Sequence, residues 1–215
     1  MSFDWQTVKL SDVSTELSDG LHKAPQFLIN GEYLFVNATN IENGRIVEKD
    51  KEKRTTYEEF LNYGVKLTDR TILYSIDGTI GNIARYRGEK CVLGKGACYI
   101  TVDDTVDVDY IYYLLQSPSF NEYIYAMSTG STIRHISLKT MRNFQFQLPP
   151  ITHQKHASGC LKALDEKIAN NNAINHHLAS LRSATDSSPD IRRGKRVSRK
   201  VARRAFSFAL LRMAS

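Results

Sequence analysis

The sequence predicts an α+β fold, a mixed-sheet domain followed by one long, coiled-coil-forming α-helix. Three observations predict it. Runs rich in β-branched and aromatic residues, cut by turn signals, fill the first 150 residues without regular alternation with crossover helices, which argues against a doubly wound sheet. A Pro149-Pro150 pair closes that region. Beyond it, Leu161, Leu164, Ile168, Ile174, Leu178 and Leu181 recur on neighbouring faces of a helix.

In chain order, strands are predicted at 7–10, 33–38, 45–48, 72–76, 80–86, 97–102 and 144–148. Thr55 with Glu58 three residues later reads as a capping box that opens a short helix to Tyr63, with Gly64 placed to end it. Residues 108–116 read as a second helix, broken by Ser117-Pro118, with another short helix reaching Ala126. Asp77-Gly78, between ILYSI and IGNIARY, signals a tight hairpin. The segment VLGKG at 92–96 reads as a turn with a basic tip.

The long helix is predicted over 151–183. With Leu161 and Ile168 as heptad a positions, Asn175 is the next a, and Asn171 follows Leu164 as the next d. Asparagine in such a seam costs stability and fixes register or partner number, so the helix reads as a specified interface. An amphipathic terminal helix lying on its own domain has the same periodicity. After Ser183 the pattern gives way to a Ser/Asp/Pro/Arg-rich tail, 184–215, expected to be basic and disordered.

At 215 residues the chain can bury a real core in one domain with an appendage. Three cysteines without framework spacing, no signal peptide and no apolar run near twenty residues imply reduced thiols, a cytoplasmic location and no membrane span. The net charge of +6 is a property of the tail. Residues 1–182 carry 20 basic and 21 acidic side chains, and residues 183–215 carry 9 and 2. Within the body, 123–164 contains no acid but does contain Arg134, Lys139, Arg142, Lys155 and Lys162, a window that could face phosphates or be an uneven solvated surface.

Motifs for catalysis are missing. Gly88 and Gly94 are one residue too far apart for a phosphate loop, and Gly96 stands where its hydroxyl should be. No GxGxxG opens a helix. His153, His156 and Cys160 share a helical face but lack a fourth zinc ligand, and Asp165-Glu166-Lys167 lies in the heptad helix rather than beside acidic strand residues. The sequence reads as a binder with no metal site.

Reading of duplex DNA needs hydrogen-bonding side chains on protruding loops, with phosphate contacts setting register. Three segments qualify. Asn37, Thr39 and Asn40 leave a strand end, Thr79 and Asn82 flank the hairpin, and Ser131, Thr132, Arg134 and His135 occupy the acid-free loop. Lys23 and Lys95 are candidate phosphate contacts. Ordinary turns also favour these residue types, because they bond their own backbone.

Several of these segments, in this order, resemble one half of the specificity subunit of type I restriction-modification systems. The markers are WQTVKLSDV at 5–13, FVNATNIENGRI, TILYSIDGTIGNIARY, VLGKGACYI, GSTIRHISLKTMRNFQFQLPPITHQ and the helix LKALDEKIANNNAINHHLASL. The resemblance covers about residues 4–182. It implies a DNA target-recognition domain at 1–150 that reads half of a bipartite site. The conserved helix at 151–183 would then pair with its counterpart through Leu161, Leu164, Ile168, Asn171, Ile174, Asn175, Leu178 and Leu181. It also implies a non-catalytic subunit that docks methyltransferase subunits and a restriction motor subunit. S-adenosylmethionine is expected on the methyltransferase partner and no cofactor on this chain. Full-length members carry two such units, whereas this chain has one, followed by a tail without a counterpart. A half-subunit pairing with a second copy and a truncated or recombined copy serving only as an interaction module through its helix both fit.

Overall fold

The computed structural model describes residues 5–49, 53–129 and 134–186. The chain divides into two compact units between Lys162 and Ala163. The first contains strands β1 (Gln6–Lys9), β2 (Ser14–Asp19), β3 (Tyr33–Val36), β4 (Ile41–Glu42), β5 (Arg45–Ile46) and β6 (Arg54–Thr55). It continues with β7 (Thr71–Ser75), β8 (Ile83–Arg85), β9 (Cys91–Leu93), β10 (Ala97–Val102) and β11 (Gln145–Leu148). Its short helices are α1 (Tyr57–Tyr63), α2 (Val108–Leu114), α3 (Pro118–Met127) and α4 (Leu138–Asn143). The long helix α5 (Ile151–Asp186) begins in the first unit and supplies the described part of the second. The architecture is the expected α+β, with a long C-terminal helix.

The central sheet has the order β2-β10-β7-β8, with each neighbouring pair antiparallel. A second sheet, β6-β3-β9, is mixed: β6 runs antiparallel to β3 and β9 runs parallel to it. β1 and β11 pair antiparallel, with Val8 opposite Phe146, which joins the two ends of the first unit. All five residues of β7 are buried, as expected for an inner strand covered on both faces. Ile72, Tyr74, Ile100, Ile111, Phe120, Ile124 and Phe144 meet in one core, while Leu34, Val36, Leu73, Leu93 and Tyr99 form a second beside it. Burial pushes the Cys91 thiol up to about 12 and raises that of Cys98, so both serve as small apolar core residues rather than reactive thiols.

Several local expectations are corrected. β2 was not predicted, because STELSD is polar; Leu17 alone is buried, and pairing with β10 makes it a strand. Residues 91–93 form β9 rather than a turn, because β3 supplies a parallel partner that no local signal discloses. The cap of α1 lies one residue later than expected. Thr56 accepts from the Glu59 N–H at 3.1 Å, whereas the fully buried Thr55 belongs to β6 and donates its hydroxyl to the Gln26 carbonyl at 2.7 Å. Gly64 ends α1 by close approach rather than by left-handed backbone: its φ is −66°, and an added Cβ would lie 2.4 Å from the Phe60 carbonyl oxygen. The tight hairpin opens into a longer loop, 76–82, with Gly78 and Gly81 at φ of +71° and +101°. Helix α4 went unpredicted although Ser137 caps it, accepting from the Thr140 N–H at 3.0 Å.

The start of α5 gives the PPITHQ segment at 149–154 a structural role. Gln154 is 2% exposed; its Nε2 donates to the Pro149 carbonyl at 2.7 Å and its Oε1 accepts from the Asp107 N–H at 2.9 Å. One amide therefore ties the helix start to the N-cap residue of α2. Gln154→Ala strands a buried N–H and a carbonyl, and it is expected to cost about 2 kcal/mol in urea unfolding, within the usual penalty for unsatisfied groups. A loss below about 0.5 kcal/mol would refute the staple.

Candidate nucleic-acid interface

Strand direction brings the predicted segments together. β3 and β9 run parallel, so Asn37 and Gly94 leave them at the same end, and the Gly94 N–H donates to the Val36 carbonyl at 2.8 Å. β10 starts from the Gly94-Lys95-Gly96 turn, and its first residues face the last residues of β7 and β2, with Ala97 opposite Ser75 and Cys98 opposite Asp19. The C-terminal ends of β2, β3, β7 and β9 thus meet the N-terminal end of β10.

Contacts between the loops at that end are close. The Leu21 N–H donates to the Leu93 carbonyl at 2.7 Å, and Leu21 bridges to Gly94, which carries Lys23 to the same margin. A Cβ on Gly94 would lie 2.3 Å from Asn37 Oδ1 and 2.9 Å from the Phe35 ring. One on Gly96 would touch both Ala38 and Asp77 at 3.4 Å. The Ile76 N–H donates to the Gly96 carbonyl at 3.1 Å, and the Ile136 N–H to the Ile76 carbonyl at 3.0 Å. Asp77 bridges to His135 through the backbone and bonds its ring nitrogen Nδ1 through Oδ1. Segments scattered from Leu21 to Ile136 therefore form one continuous surface.

Each predicted residue can be placed on it or off it. Lys23, Thr39, Thr79, Lys95 and Arg134 are exposed, and Asn37, Asn82 and His135 are partly exposed. Lys23, Lys95 and Arg134 have no ion-pair partner among the described residues. The Arg134 guanidinium sits 5.4 Å from the centroid of the Tyr125 ring, which braces it. Ser131 and Thr132 lie outside the described residues. Asn40 is a correction: it is fully buried, its Oδ1 accepts from the Asn37 N–H at 2.9 Å, and its Nδ2 donates to the Val47 carbonyl at 3.2 Å. With both amide atoms engaged inside the protein, it shapes the Asn37–Thr39 turn and offers nothing to a base.

The acid-free window is not one phosphate-facing strip. Arg142 donates to the Leu17 carbonyl at 2.5 Å, and Lys162 faces Asp109 at 3.5 Å. Sequence reasoning missed Asp77 and Tyr125, which orient His135 and Arg134. In sequence Asp77 is only half of a turn dipeptide, 58 positions from the histidine it meets. Among the described residues, no group of three or more His, Cys, Asp or Glu side chains is placed to hold a metal ion. No helix among them is long and apolar enough to cross a membrane.

On α5, Leu161, Leu164, Ile168, Ile174, Leu178 and Leu181 are 42–57% exposed, and Asn171 and Asn175 are exposed with them. Large apolar side chains in water at helical spacing make an unsatisfied seam.

The family model described as the type I restriction modification DNA specificity domain matches residues 3–180. Two curated relatives carry names describing them as type I specificity subunits. The one from Mycoplasma pneumoniae is 26% identical over 146 residues, covering 62% of this chain and 38% of its own length. The one from Mycoplasma genitalium is 24% identical over 143 residues, covering 61% and 37%. The chain thus spans less than two-fifths of the length of these relatives. Among solved structures, the S subunit of a type I restriction-modification system from M. genitalium superposes with a TM-score of 0.59 at 19% identity, over 84% of this chain and 44% of that one. The HsdS subunit from Thermoanaerobacter tengcongensis does so with a TM-score of 0.57 at 15% identity, over 81% and 40%. At such identities the structural likeness establishes a shared fold.

Proposed function

Because the chain belongs to the family of type I restriction modification DNA specificity domains, we propose that it reads one half of a bipartite duplex DNA site for a restriction-modification complex. The observation that carries this reading is the convergence of the five polar and basic segments at one end of the sheets. Lys23, Lys95 and Arg134 contact phosphates and set register, while Asn37, Thr39, Thr79, Asn82 and His135 face base edges. The chain itself performs no catalysis. It docks methyltransferase subunits, which bring S-adenosylmethionine, and a restriction motor subunit.

The helix pairs with a second helix of its kind, which another copy of the same chain can supply. In an antiparallel pair of copies centred on Ala173, Ile168 meets Leu178 and Asn171 meets Asn175, while Leu164 meets Arg182. The middle of the seam is thus self-complementary, as a two-fold interface requires. Two copies would then read a palindromic bipartite site.

The test is duplex binding by the full chain together with its methyltransferase subunits, at several salt concentrations. Replacing Lys23, Lys95 and Arg134 together with alanine is expected to flatten the log–log salt slope by about 3, close to one unit for each lost phosphate contact. An unchanged slope would place the phosphates elsewhere. The exposed seam also supports a second reading, an interaction module that works through α5 alone. Identical genomic methylation in cells with and without the gene would favour it.

A further inference from the structure

A carboxylate on a surface that receives phosphates needs a reason, since alone it would repel them. Asp77 is such a side chain, 30% exposed, and its Oδ1 is bonded to Nδ1 of His135, whose side chain is 41% exposed. The backbone holds both residues in place. Asp77 and His135 form an antiparallel bridge, the Gly78 N–H donates to the Arg134 carbonyl at 3.1 Å, and the His135 N–H donates to the Thr129 carbonyl at 2.9 Å. The fixed ring has a chemical consequence. An ionised carboxylate can only accept, so Nδ1 carries the hydrogen, and in the neutral imidazole Nε2 is left as an acceptor.

Resting on the DNA-reading assignment above, we propose that Asp77 sets His135 as a hydrogen-bond acceptor that reads an amino group on a major-groove base edge. Adenine N6 and cytosine N4 are the amino groups presented there, whereas guanine offers only acceptors, O6 and N7. Asp77 is a positioning residue: it touches the ring and not the DNA. Without it, the ring is free to carry its hydrogen on Nε2 and to donate to guanine.

The experiment uses the full chain in complex with its methyltransferase subunits and a duplex library randomised across the recognition positions, with bound sequences read out by sequencing. The wild-type complex is expected to enrich adenine or cytosine at one position, and His135→Ala to lose that preference by about tenfold. Asp77→Ala is expected to lose or redirect preference at the same position while other positions hold. Asp77→Asn, whose Oδ1 can still accept from Nδ1, is expected to retain it. Base preferences in Asp77→Ala identical to wild type would overturn the proposal, as would an equal loss of binding to every sequence, the mark of a merely structural residue. A wild-type complex without base preference at any position would overturn the DNA-reading assignment and this proposal with it. Nitrogen-15 chemical shifts of the His135 ring in the intact wild-type chain give a readout that needs no variant to fold. A hydrogen on Nδ1 and a bare Nε2 are expected, and a ring carrying a hydrogen on Nε2 would overturn the proposal.

Discussion

Gly20→Ala is expected to lower the stability of the strand-bearing unit by about 3 kcal/mol or more, the upper end of the range for overpacking a rigid site. A Cβ at this position would lie 2.2 Å from the Leu93 carbonyl oxygen, 2.3 Å from its carbon and 2.6 Å from the Gly94 oxygen. These are backbone atoms, so no rotamer change relieves the clash. Either the end of β2 moves off β9, breaking the bond from the Leu21 N–H to the Leu93 carbonyl, or the Gly94–Gly96 turn shifts and takes Lys95 with it. Gly78→Ala is the useful contrast. Nothing lies within 4 Å of its added Cβ, but its φ of +71° is disfavoured for alanine, so a cost of about 1–2 kcal/mol is expected. Urea unfolding followed by the fluorescence of Trp5, the single tryptophan, measures both. A Gly20→Ala protein within about 0.5 kcal/mol of wild type would contradict the packing described here.

Ile168→Asp is expected to abolish pairing of two copies, weakening association by at least about a hundredfold, which corresponds to about 3 kcal/mol. In the antiparallel register centred on Ala173 the new carboxylate meets Leu178 of the other copy, and by symmetry the same defect occurs twice. Ile168 is 57% exposed in the single chain, so the fold of the first unit should be unaffected. Sedimentation across a concentration series gives the association constant, while urea unfolding checks the fold. Asn171→Leu probes the other side of the argument. Removing a polar residue from the seam should tighten association and relax its register, giving higher or mixed oligomers. If Ile168→Asp leaves the association state of the wild type unchanged, the helix does not pair through this face.

Legibility followed the range of the interactions involved. The helix was readable to its first residue, because its periodicity and the Pro149-Pro150 start are local features. Strands with a β-branched run, such as 72–76 and 97–102, were readable for the same reason. β2 and β9 were not, since one is polar and short of apolar content and the other needs a parallel partner far away in sequence. Among the site residues, residue type indicated Lys23, Lys95, Thr79 and Arg134 as candidates. It misjudged Asn40, whose amide looks the same in sequence whether it faces a base or bonds Val47 and Asn37. It passed over Asp77, whose role depends on meeting His135 across the fold.

By itself, then, the sequence determined the α+β class, the long helix with its asparagine-interrupted seam, the confinement of net positive charge to the tail, and the stock of polar loop residues. These follow from composition and from spacings of two to four residues along one chain segment. Tertiary structure alone decided that those loops share one end of the sheets, which asparagine is buried, and which histidine nitrogen Asp77 engages. Strand order and direction set these outcomes, and they depend on pairings between segments that carry no local mark of one another.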